Sequence, residues 1–127
     1  MKYRNIIVLI TAVVLLFLLV FPSVYIQSEC SDYLKNIETI KTAIINRDAG
    51  LAAGLIEEKL VKWDENNILI LSFTPHAETE FIKDSIIKLD HSVQLKEFDL
   101  ALERADILYS QIDHLIQSSR FSWENLF

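Results

Sequence analysis

Glycine, proline and cysteine are nearly missing from this chain: two glycines (Gly50, Gly54), two prolines (Pro22, Pro75) and one cysteine (Cys30) in 127 residues. Turn-rich β architectures need far more punctuation, so the chain is expected to be almost wholly helical with short connections. One cysteine builds neither an intrachain disulfide framework nor a thiolate zinc site. Cys30 is read as an inert thiol, with an intermolecular disulfide as the alternative. Charge is also missing from one stretch: no charged residue lies between Arg4 and Glu29.

That stretch contains Ile6 to Phe21, an apolar run broken only by Thr11. As a helix it is long enough to cross a bilayer core of roughly 30 Å. A cleaved secretory signal is the alternative, but the small-x-small site it needs is poor here. Phe21 precedes Ser23 by two residues, and Gln27-Ser28-Glu29 before Cys30 does not resemble a lipobox. The reading is an uncleaved anchor at 1–28, contacting lipid through residues 6–26, and a separate domain at 29–127. Lys2 and Arg4 flank one end of the run, and Glu29 and Asp32 the other. The positive-inside rule then expects a cytoplasmic N-terminus and an extracytoplasmic domain in the cell membrane. With about five residues inside, any message would have to leave through a partner.

All eighteen acidic residues fall in 29–127, against ten of the twelve basic ones, a balance of −8. Nucleic-acid binding needs basic stripes and is not expected, nor is docking of this domain on anionic lipid. The plain reading is a soluble acidic surface.

Apolar residues recur at helical spacing in four segments. The first carries Tyr33, Leu34, Ile37, Ile40 and Ile44, continuing from the anchor unless Pro22 kinks or breaks it. It should stop near Asn46-Arg47-Asp48, where Asn46 or Asp48 caps the next helix. The second is expected over about Ala49 to Phe73, with Ala52, Ile56, Leu60, Trp63 and Ile70 inward. Gly50 and Gly54 either permit close helix approach or weaken its first turns. Thr74-Pro75 reads as the start of a third helix, carrying Phe81, Ile82, Ile86, Leu89 and Val93. The fourth, from about Phe98 to Gln117, carries Leu100, Ala101, Ala105, Leu108, Ile112, Leu115 and Ile116.

The expected fold is all-α: an N-terminal transmembrane helix, then about four antiparallel amphipathic helices in two hairpins. An offset of 49 residues aligns the hairpins. Tyr33, Ile37, Ile40 and Ile44 fall on Ile82, Ile86, Leu89 and Val93, Arg47-Asp48 on Lys96-Glu97, and Trp63 on Ile112.

Candidate surfaces follow from what this core leaves over. Leu102, Ile107 and Tyr109 widen the stripe of the fourth helix, as a second core contact or a partner surface. Trp123, Leu126 and Phe127 make the last segment unusually apolar, as a plug on the bundle or a partner motif. His76 and Glu80 stand at i and i+4, but a metal site needs a further ligand such as His114. His76 is more simply a helix-terminus residue near the Thr74 turn. The candidate interaction or ligand surface is therefore Trp63, His76, Leu102, Ile107, Tyr109, Trp123 and Phe127.

Carboxylate pairs such as Glu57-Glu58 read as solvated faces. No nucleophile elbow, phosphate-binding loop or zinc helix motif occurs. Neither enzyme activity nor a cofactor is expected. The first expectation is a protein-interaction module or accessory subunit of another membrane protein, with a homo-oligomer left open. The alternative is a sensor or carrier with a small apolar ligand between the hairpins.

The chain also resembles the bacterial family called domain of unknown function 4363. The resemblance rests on the apolar segment after a short basic start and on Trp63 in mid-chain. It rests further on Leu71-Ser72-Phe73 leading to His76 and Glu78, and on the closing Ser122-Trp123-Glu124-Asn125-Leu126-Phe127, where Trp123 replaces a more usual aliphatic residue. It implies a small single-pass protein of Gram-positive, often spore-forming bacteria, with a small multi-pass membrane protein as partner.

Overall fold

A computed structural model describes residues 1–61, 63 and 68–126, without the side chains of 68, 69, 73 and 120–126. Among the described residues every regular element is an α-helix: α1 (Lys2–Ile45), α2 (Ala49–Lys59), α3 (Ile68–Phe73), α4 (His76–Gln94) and α5 (Phe98–Leu126).

α1 runs unbroken through Pro22 for 44 residues, about 66 Å. Pro22 has no N–H for the Leu18 carbonyl, yet the helix continues on both sides. Residues 1–19 are exposed along the whole circumference, and partial cover begins at Val20. Beyond it Ile26, Cys30, Tyr33, Ile37, Ile40, Ala43 and Ile44 are buried at i, i+3, i+4 and i+7 spacing. One helix is therefore apolar rod at one end and amphipathic at the other.

The inward stripes meet as expected. Ala52, Ile56, Leu60, Trp63 and Ile70 face Ile82, Ile86, Leu89 and Val93 and the α5 residues Ala101, Ala105, Leu108 and Ile112 in one core. Trp63 stacks edge-on against Tyr33, with ring centroids 4.9 Å apart and planes at 69°. Such pairs contribute about 0.5–1.5 kcal/mol beyond burial. α1 packs most extensively on α5, with α4 on the other flank of α5 and α2 between α1 and α4.

The two hairpin turns are built alike. The Asn46, Arg47 and Asp48 N–H groups donate to Thr42, Ile44 and Ala43 carbonyls; Leu95, Lys96 and Glu97 donate to His91, Val93 and Ser92, all at 3.0 Å. Both turns place a non-glycine residue at φ 58°, Arg47 and Lys96. This is the Schellman helix ending, in which the left-handed C′ residue usually is glycine. The offset of 49 thus recurs in backbone geometry and in burial.

Three details differ from the sequence expectation, and the alternative left open for the two glycines is decided. The second helix is not continuous from Ala49 to Phe73. α2 ends at Lys59, where Leu60 and Val61 N–H groups both donate to the Ile56 carbonyl and turn the chain. Gly54 has open space where a Cβ would sit, and at Gly50 the nearest atom is Asp48 Oδ1 at 3.8 Å. Close approach is therefore not their reason, and they weaken α2. Pro75, not Thr74, stands at the α4 cap position, while Asp48 caps α2 by accepting from Leu51 N–H at 3.1 Å. Phe81 is 63% exposed and lies outside the core, because Ile82 takes the inward position beside it.

Candidate interaction surface

The outward stripe of α5 is the best-defined surface. Asp99, Leu102, Glu103, Asp106, Ile107, Ser110 and Gln111 recur at helical spacing and line an open hollow of 560 Å³. Leu102 is half-buried against the core, and Ile107 is 47% exposed. Gln111 Oε1 is enclosed and meets no hydrogen-bond donor among the described residues.

The stripe is held on both sides. Lys41 Nζ of α1 lies 2.6 Å from Asp106 Oδ1. The Asp106 carboxylate raises the Lys41 pKa from its ordinary value, mainly through that hydrogen bond. On the other flank Arg104 Nη1 donates to the Lys88 carbonyl of α4 at 3.2 Å, and His114 Nε2 lies 3.7 Å from Glu78 Oε1. The side chains around Ile107 are thus set by neighbouring helices.

Of the seven candidates, the structure brings Leu102 and Ile107 together. Trp63 is 1% exposed and belongs to the core. Tyr109 is half-buried against the core. His76 is exposed at the start of α4, its Nε2 3.7 Å from Glu80 Oε1. Among the described residues no three His, Cys, Asp or Glu side chains converge as a metal site would require. The Trp123 side chain and Phe127 lie outside the described residues.

Cys30 is fully buried, and burial pushes its thiol pKa up to about 12, with Glu29 adding to the shift. A thiol held protonated and enclosed is inert. Sequence reasoning missed Gln111, because a glutamine on a helix carries no mark of enclosure. It also missed the contact of Ser23 Oγ with Ser119 Oγ at 3.0 Å, which spans 96 residues.

No curated protein and no solved structure matches this chain. The family model described as "Domain of unknown function (DUF4363)" matches residues 20–126. The match starts where cover on α1 starts and leaves out residues 1–19. By that match over most of its length, the chain belongs to the DUF4363 family.

Proposed function

We propose that this protein is a membrane-anchored helical module that acts outside the cytoplasm as an interaction or accessory subunit of another membrane protein. α1 is long and apolar enough to cross a bilayer, and its apolar window is wholly uncovered by the rest of the chain. A signal sequence passes the same test; continuity of α1 into the folded core favours an anchor, since cleavage near residue 28 would cut a helix at buried Ile26 and Cys30. The Lys2 and Arg4 side chains at one end and Glu29 and Asp32 at the other support an inside-to-outside orientation.

The observation that carries the interaction role is the α5 stripe, where exposed Ile107 and half-buried Leu102 line one open hollow. An apolar ligand between the hairpins finds less support, because Ile37, Ile40, Ile56, Leu89, Leu108 and Ile112 already fill that interface. Crosslinking in solubilised membranes followed by mass spectrometry tests the role. A crosslinked product, with a membrane protein or a second copy, is expected, and Ile107→Glu should remove it while leaving the fold intact. Recovery of the monomer alone would contradict the proposal.

A further inference from the structure

The bundle begins within the stretch of α1 that a bilayer crossing would occupy. A hydrocarbon core of roughly 30 Å needs about 20 helical residues. Counted from Asn5, just past the Arg4 cation, they reach Val24. Yet α1 is fully uncovered only as far as Leu19, so the free rod past Arg4 is about 22 Å long. From there Val20, Pro22 and Ser23 are partly covered on one side, while Phe21 and Val24 stay exposed on the other.

α5 occupies that overlap. It runs antiparallel to α1, because Lys41 meets Asp106 at one level and Ser23 meets Ser119 at another. Gln27 Nε2 reaches Ser23 Oγ at 3.4 Å, so three polar side chains satisfy one another at this junction. Such pairing is what a site losing access to water requires. α5 continues from Ser119 to Leu126, about 10 Å further down, level with the last residues of the apolar run. The sequence there opens with Arg120 and carries Phe121, Trp123 and Leu126 with Glu124 and Asn125. Aromatic residues of this kind are enriched where headgroups meet the acyl chains.

We propose that the C-terminal turns of α5 insert into the outer leaflet beside α1, so that the protein grips the bilayer with one complete and one partial helix. The proposal rests on the anchor reading of α1. It goes further by assigning a second lipid contact and by making the bundle stand upright on the membrane.

The two tryptophans make it testable in the full chain. Trp63→Phe leaves Trp123 as the only indole, and Trp123→Phe leaves Trp63. Both are reconstituted into phosphatidylcholine vesicles, with and without lipids brominated near the glycerol end of the acyl chain. Emission from Trp123 should be largely quenched by the brominated lipid and little affected by aqueous acrylamide. Emission from core Trp63 should resist both. Should Trp63→Phe fail to fold, subtracting Trp123→Phe emission from that of the unaltered protein yields the same quantity. Acrylamide quenching of Trp123 without lipid quenching would put the tail in water and overturn the proposal. Resistance to both quenchers would make it a plug on the bundle and overturn it too. Release of the protein from vesicles by alkaline carbonate would remove the anchor reading itself, and the proposal with it.

Discussion

The two hairpins share a plan and differ in their return arms. Their turns match bond for bond, with Arg47 and Lys96 at the same φ. The first return arm, α2, is 11 residues long, carries both glycines and ends at Lys59. The second, α5, runs 29 residues without a glycine or a proline. On the outward face Ala53 and Glu58 of α2 correspond to Leu102 and Ile107 of α5. A shared plan makes the fold, and the surfaces proposed for contact lie in the departures from it. Among the described residues, the α5 stripe and the proposed reach of α5 toward the membrane have no counterpart in the first hairpin.

The largest test concerns the paired core positions Trp63 and Ile112, which are both closed to solvent. Trp63→Ala should cost about 3–5 kcal/mol and Ile112→Ala about 2–5 kcal/mol. Both should lower one common transition in circular-dichroism melts in detergent. A variant that melts α2 while α4 and α5 persist would break the equivalence of the hairpins.

A smaller effect is expected at the turns. A non-glycine residue in the left-handed region costs about 1–2 kcal/mol. Lys96→Gly should therefore stabilise the bundle by about 1 kcal/mol. Arg47→Gly should gain less, because the guanidinium lies 5.5 Å from the Phe98 ring centroid and that contact contributes about 0.5–1 kcal/mol. Equal gains would mean the cation–ring contact contributes nothing.

Gly54 and Glu103 occupy the same place in the two return arms. Gly54→Ala should stabilise by about 0.5–1 kcal/mol, since a Cβ there meets open space. Glu103→Gly should destabilise α5 by a similar amount. Urea titrations of the two variants should move in opposite directions.

The smallest effect is a pH slope from Cys30, whose counterpart Thr79 does not titrate in this range and instead donates to the His76 carbonyl at 2.9 Å. Burial raises the thiol from 9.0 to about 12, so the folded state holds a proton that the unfolded state releases. Its contribution is fully present below pH 9 and is lost as pH rises toward 12. Cys30→Ala should flatten that part of the alkaline stability curve, and the native thiol should resist alkylation until the chain unfolds.

Much of the helical layout was legible because period 3.6 and low glycine content leave few alternatives: Tyr33, Ile37, Ile40 and Ile44 point inward as their spacing requires. The end of α2 at Lys59 was not legible, because Ile56, Leu60 and Trp63 fit one continuous helical face equally well. Phe81 misled because its spacing fits the stripe as well as that of Ile82, and the packing gives the inward position to Ile82. Of the candidate surface, Leu102 and Ile107 could be read as an excess over the core stripe. Trp63 was legible as core from its place in the stripe of Ala52, Ile56 and Leu60; the structure adds its ring partner Tyr33 and removes it from the candidate surface.

The claim that α5 carries the contact surface is tested most directly by position-specific photo-crosslinking in intact membranes. A photoreactive residue is placed at Ile107 or at its repeat counterpart Glu58. The account expects one discrete adduct, with a membrane-embedded protein or a second copy, from position 107 and none from position 58. Equal labelling from both positions, or none from 107, would contradict it.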